Sequence, residues 1–141
     1  MIVLDTDIIS LLDRHSGQPF ETLARRLRDS TDDRVCVTII SFEEQMRGWL
    51  SYIAASRTAV RQIEGYARLQ QMLDWYERQD VLPFDQRASD QFEILRRSRL
   101  KVGTMDLKIA SIPLAHGALL LSRNTKDFRA IPGLLVEDWT H

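Results

Sequence analysis

The stretch Met1-Ile2-Val3-Leu4-Asp5-Thr6-Asp7 decides the fold, because its apolar run leads without a break into an acidic pair. Two later stretches repeat the pattern: Val35 to Ile40 leads to Glu43 and Glu44, and Leu119-Leu120-Leu121 leads towards Asn124 and Asp127. A further acid, Asp106, opens a helix-like segment after Val102-Gly103. Short continuous apolar runs of this kind read as strands buried on both faces of a parallel sheet. Their carboxyl ends then share one edge, where open α/β sheets place their ligand sites. Acids far apart in the chain meet there. Gathered carboxylates repel one another and resist full ionisation unless a cation lies among them, so the pattern points to a divalent-metal site.

The bulk properties fit one domain spanning residues 1–141, long enough for one substantial core and short for two. Apolar residues at 44% and charged residues at 28% are ordinary for a globular chain and speak against disorder. No apolar run approaches the roughly 18 residues that a membrane helix needs. Met1 to Leu4 meets Asp5 without a basic leader, so this stretch is not expected to act as a secretory signal. Cys36 is the single cysteine and lies in an apolar run, which reads as a buried, reduced thiol and a cytoplasmic location. The net charge of −1 conceals two basic clusters, one of Arg96, Arg97, Arg99 and Lys101 ahead of Asp106, the other of Arg123, Lys126 and Arg129 around Asp127.

Strands and helices alternate along the chain. After the strand at Met1 to Asp5, Ile8, Ile9, Leu11 and Leu12 take helical spacing up to Gly17. A second amphipathic helix spans about Phe20 to Asp29. Val35 to Ile40 is the clearest strand, and Ser41 is the expected cap of a long helix to about Ser56. Gly48 inside that helix costs about 1 kcal/mol relative to Ala, which suggests close backbone packing there. The next helix, Ala59 to about Gln79, carries Val60, Ile63, Tyr66 or Ala67, Leu69 or Gln70, Leu73 and Tyr76 along one stripe, and the two form a helical hairpin. Val81 to Phe84 reads as a short strand, and Asp85 or Ser89 starts a helix through Phe92 and Leu95. Thr104 is the expected cap of a helix that bends at Pro113, or absorbs it near its end, and stops at Gly117. Ala118 to Ser122 and Leu134 to Val136 are the last strands, the second at the edge.

Each acid also has a purely structural reading. Ser41 and Glu44 fit a capping box, and Asp5, Asp106 or Asn124 would suit a helix start. Even as caps they share an edge, because helices that follow strands of a parallel sheet begin there. His15, His116 and His141 lack metal-ligand spacing, and Ser10 and Ser41 lack a histidine partner for a nucleophile triad. Trp49, Trp75 and Trp139 fit a core or interface better than a base-stacking platform.

In four places the chain resembles the PIN-domain ribonucleases, in particular the VapC toxins of bacterial toxin-antitoxin pairs. Met1 to Asp7 looks like the opening motif, although the family more often has Asn or Ser where this chain has Asp7. Ser41-Phe42-Glu43-Glu44-Gln45-Met46-Arg47-Gly48 resembles the second, in which the acid lies four residues before a glycine, selecting Glu44 over Glu43. Val102 to Ala110 is similar to the third and nominates Asp106. Ala118 to Phe128, with Ile131-Pro132-Gly133-Leu134, Val136 and Asp138-Trp139, looks like the closing motif, except that Asn124 stands where many members carry Asp.

The resemblance implies a three-layer α/β/α PIN-like domain with a mostly parallel sheet, acting as an endoribonuclease that depends on Mg²⁺ or Mn²⁺. It assigns Asp5, Glu44 and Asp106 as metal ligands and catalytic groups, Asp127 as a further catalytic acid, and Thr6, Ser122 and Asn124 as supporting residues. The implied chemistry is in-line attack of a metal-activated water on a phosphodiester, leaving 5′-phosphate and 3′-hydroxyl ends. Arg96, Arg97, Arg99, Lys101 and Arg123 are candidates for gripping single-stranded or looped RNA. The implied protein partners are a small antitoxin and a second copy of the chain, meeting the aromatic face of the hairpin. Two other classes remain open: a haloacid-dehalogenase-like phosphohydrolase, for which Asp5-Thr6-Asp7 fits and the later paired acids are missing, and a PIN-fold binding module without activity.

Overall fold

Alternate residues of each central strand pack into opposite clusters, as the two-residue period of a strand requires. Val3, Cys36 and Leu120 join one cluster with Leu95, Leu107, Ile109, Ile112 and Phe128. Ile2, Leu4, Val37 and Leu121 join the other with Ile8, Ile9, Leu11, Leu23, Met72 and Tyr76. The computed structural model describes residues 1–32 and 34–141. Its strands are β1 (Ile2–Leu4), β2 (Val35–Thr38), β3 (Asp80–Leu82), β4 (Leu119–Leu121) and β5 (Leu135–Glu137). They lie in the order β3-β2-β1-β4-β5 and every adjacent pair is parallel. Ile2 pairs with Val35 on one side and Leu119 on the other, which aligns the ends of β1 and β4 at Leu4 and Leu121.

The helices are α1 (Thr6–Arg14), α2 (Gln18–Asp29), α3 (Ile39–Ala55), α4 (Ala59–Glu77), α5 (Gln86–Arg97), α6 (Thr104–His116) and α7 (Thr125–Phe128). α1 to α4 supply the cluster on one face of the sheet, and α5, α6 and α7 most of the other. Burying both faces of a parallel sheet in this way gives the three-layer α/β/α arrangement. Among the described residues no helix is long and apolar enough to cross a membrane. Cys36 is buried, and Trp49, Trp75 and Trp139 are half-buried against the α1–α4 side.

Several local expectations need correction. β2 ends at Thr38, whose side chain accepts the Ser41 N–H at 3.1 Å and caps α3, so Ile39 and Ile40 are helical. Threonine suits both the end of a strand and a helix cap, which explains the earlier start. Ser41 is therefore not the cap, and the Ser41–Glu44 capping box does not form. Gly103, not Thr104, caps α6, with no side-chain bond. α6 runs through Pro113 and closes in a Schellman pair, Ala118 N–H to Pro113 O at 3.0 Å and Gly117 N–H to Leu114 O at 3.4 Å, with Gly117 at φ 61°.

The hairpin exists, but its close approach is elsewhere. A Cβ on Gly48 would meet nothing within 4 Å, whereas one on Gly65 would lie 2.6 Å from Ile53 Cγ1 and 3.0 Å from Tyr52 Cδ1. The apolar stripe of α4 largely faces outward: Val60 is 76% exposed, Ile63 64% and Leu73 57%. Gly65, Met72 and Tyr76 are the buried residues of that helix. Replacing either glycine by alanine brings the same gain in helix propensity, about 1 kcal/mol. Gly48→Ala should thus stabilise, while at Gly65 an overpacking cost of about 1–3 kcal/mol opposes the gain. Thermal melts of both variants check this, and equal melting points would contradict the packing described.

A candidate carboxylate site at the sheet edge

β1 is flanked by β2 on one side and β4 on the other, so the chain departs from β1 in both directions. Such a reversal of strand order opens a crevice beyond the carboxyl ends. Asp5 follows β1 directly and caps α1, with Oδ1 accepting the Thr6 N–H at 2.8 Å. Its Oδ2 accepts the hydroxyl of Ser122, the first residue past β4, at 2.7 Å. Thr6 donates its hydroxyl to Glu44 Oε1 at 2.8 Å and lies 3.0 Å from Ser41 Oγ. Asp5-Thr6 thus joins the segments that follow three adjacent strands. The helical start at Ile39 puts Glu44 in the second turn of α3, within reach of Thr6, while Glu43 pairs with Arg47 at 2.6 Å.

Asp106 enters from the first turn of α6, where the helix dipole favours an acid. Asn124 caps α7 without a side-chain bond to its amides and instead donates Nδ2 to Asp127 Oδ2 at 3.1 Å. Its backbone N–H donates to Ser122 Oγ at 2.9 Å. Burial above all, then the charge of Asp7, pushes Asp5 up to about 7 against the pull of Ser122 and the Thr6 amide. Asp106 is also raised, by burial first and then by Glu44, Asp127 and Asp7. Five acids therefore act on one another across this edge.

Asp7 has no assigned role in the sequence reading. Its Oδ2 accepts the Arg123 N–H at 3.1 Å, and its Oδ1 is buried without a partner. The signal in the sequence is its place two residues beyond Asp5, in the first turn of the helix that Asp5 caps. Among the described residues no three acidic, histidine or cysteine side chains already surround a single point. The donors at this edge are nonetheless all hard oxygens, and the orphaned Asp7 oxygen and the raised Asp5 both mark a place short of positive charge, so the residues fit a hard divalent cation.

The basic residues lie beside this edge without joining it. Arg87, near the start of α5, donates to the Ala115 carbonyl near the end of α6, so the two helices are antiparallel and the end of α5 adjoins the start of α6. Arg96 binds Glu93 at 2.7 Å and Arg97 stands 4.0 Å from it. Arg99 has φ 54°, and it and Lys101 are exposed. Arg123 bonds the site through its backbone N–H, while its exposed side chain acts on Asp7 only through its charge.

The family model described as PIN domain matches residues 2–134. The tRNA(fMet)-specific endonuclease VapC of Salmonella typhimurium is 28% identical over 106 residues, which is 75% of this chain and 76% of that protein. Ribonuclease VapC2 of Rickettsia felis is 42% identical over 45 residues, 32% of this chain and 34% of that protein. A chain in the crystal structure of VapBC2 from Rickettsia felis bound to a promoter DNA fragment superposes with a TM-score of 0.71 at 25% identity, covering 99% of each. In VapBC-1 of nontypeable Haemophilus influenzae the TM-score is 0.75 at 24% identity over the whole of both chains, a likeness of fold.

An acid whose folded pKa lies above its unfolded value binds protons more tightly when native, so stability falls with rising pH between the two values. For Asp5 that window runs from 3.8 to about 7. In chelator, the melting temperature of the wild type should fall across this window more steeply than that of Asp5→Asn. Parallel melting curves from pH 4 to pH 8 would contradict the strained state of Asp5.

Proposed function

Because the chain belongs to the PIN-domain family, we propose that it is a divalent-metal-dependent endoribonuclease and the toxin of a toxin-antitoxin pair. The observation that carries this reading is the linkage of Asp5 and Glu44 through Thr6 at the sheet edge, with Asp106 close enough to feel the charge of Glu44. Asp5, Glu44 and Asp106 would hold Mg²⁺ or Mn²⁺, with Asp127 completing the negative surface. Such a cation, when bound, supplies an activated water and neutralises charge on the leaving oxygen of a phosphodiester.

The remaining residues have roles set by their contacts. Ser122 keeps the Asp5 carboxylate turned into the crevice, and Thr6 does the same for Glu44. Asn124 orients Asp127 by the hydrogen bond that its side-chain amide donates. Arg96 and Arg97 in the last turn of α5, Arg99 and Lys101 in the segment that leads into α6, and the Arg123 side chain offer positive charge to an RNA backbone beside the acids. The named activities of the Salmonella and Rickettsia VapC proteins support RNA as the substrate class. The VapBC structure of Rickettsia felis supports a small antitoxin as partner. The exposed apolar side of the α3–α4 hairpin supports contact with another chain, either that antitoxin or a second copy in a homodimer. One domain over residues 1–141, working on RNA in the cytoplasm, completes the reading.

Purified protein should cleave RNA with Mg²⁺ or Mn²⁺ and stop when chelator is added. Asp5→Asn, Glu44→Gln and Asp106→Asn should each lower the rate by roughly 10²–10³, as loss of a group that stabilises transition-state charge does. Glu43→Gln, which removes only the partner of Arg47, should have little effect. Gel assays of all four variants check this. Equal losses at Glu43 and Glu44, or full activity of Asp106→Asn, would refute the assignment.

A further inference from the structure

We infer that Asp7 supplies an additional oxygen donor for the bound cation, directly or through a water, an assignment that rests on the metal-dependent reading above. Asp7 sits in the first turn of α1, two residues beyond Asp5. Its Oδ2 accepts the Arg123 N–H at 3.1 Å, across the junction between the segments that follow β1 and β4. That bond fixes the carboxylate in place. Its Oδ1 is sealed from solvent and has no hydrogen-bond partner, the one side-chain oxygen or nitrogen in that state among the described residues. Buried polar atoms are almost always satisfied, and an exception calls for a ligand, an ion or a water.

The surroundings favour a cation. The charge of Asp7 is felt by both Asp5 and Asp106, so it belongs to the same group of acids. The adjoining Ile8 amide and the exposed Arg123 side chain relieve part of that charge, and neither donates to Oδ1. Asp138, the other acid that acts on Asp7, is occupied by Thr140 and His141.

Asp7→Asn separates the tether from the donor, because the amide oxygen still accepts the Arg123 N–H while the charged oxygen is lost. Mn²⁺ titrated calorimetrically into RNA-free protein should bind Asp7→Asn roughly 10- to 100-fold more weakly than wild type, the usual cost of losing a supporting metal contact. Glu43→Gln removes one charge from the same region without touching the crevice and should bind Mn²⁺ as wild type does. Melting in chelator should find Asp7→Asn at least as stable as wild type, showing that it folds. Wild-type affinity in Asp7→Asn alongside lost affinity in Asp5→Asn would overturn the role of Asp7 and leave the metal site standing. Equal weakening in Asp7→Asn and Glu43→Gln would overturn it as well, reducing the effect to net charge. A wild type that binds no Mn²⁺ would remove the underlying reading and this inference with it.

Discussion

Repulsion among carboxylates held at the edge of an apolar sheet is the constraint to which the other features answer. Unit charges about 6 Å apart at an effective dielectric constant of about 20 repel by about 3 kcal/mol, a large fraction of the stability of a domain of this size. Asp5 is 6% exposed and bears the charges of Asp7 and Asp106. The donors that the fold supplies, among them the Thr6 amide, the Ser122 hydroxyl and the Arg123 amide, hold carboxylates in position without neutralising them. The strands below Asp5 offer only apolar side chains, with Ile2, Val3 and Leu4 of β1 and Leu120 and Leu121 of β4 all buried. The exposed Arg123 side chain relieves part of the charge on Asp7, and a bound cation would relieve the rest.

The same rigidity links the site to the surface. Glu44 lies near the start of α3, and the far end of that helix packs against α4 where Gly65 meets Tyr52 and Ile53. The face of α4 away from this contact leaves Val60, Ile63, Tyr66 and Leu73 exposed. One continuous helix therefore runs from the acidic crevice to the apolar hairpin, and a partner on the hairpin would lean on the element that carries Glu44.

How much of this is legible in the sequence depends on whether a feature is local. The parallel sheet is readable because strands buried on both faces must be continuous apolar runs, as Leu119–Leu121 is. The nearness of Asp5 and Glu44 is readable too, since each follows such a run. Boundaries are less so: Thr38 has the chemistry of a cap and of a strand, and only the structure shows that it caps α3 ahead of Ser41. The period of α4 is plain, but a period does not say which stripe meets the core, and Met72 and Tyr76 turn inward while Val60 and Ile63 do not. The purpose of a glycine is a property of its neighbours, which is why the close approach falls at Gly65 and not Gly48. Asp7 is opaque for the same reason, since its partner is a backbone amide at the other end of the chain.

The central claim is that these scattered acids make one cation site. Crystals soaked in Mn²⁺ test it most directly, through the anomalous scattering of the metal. The account predicts a peak in the crevice beyond the ends of β1 and β4, within coordination distance of Asp5 and bounded by Glu44 and Asp106. A peak confined to other surface carboxylates, or none at saturating Mn²⁺, would contradict it.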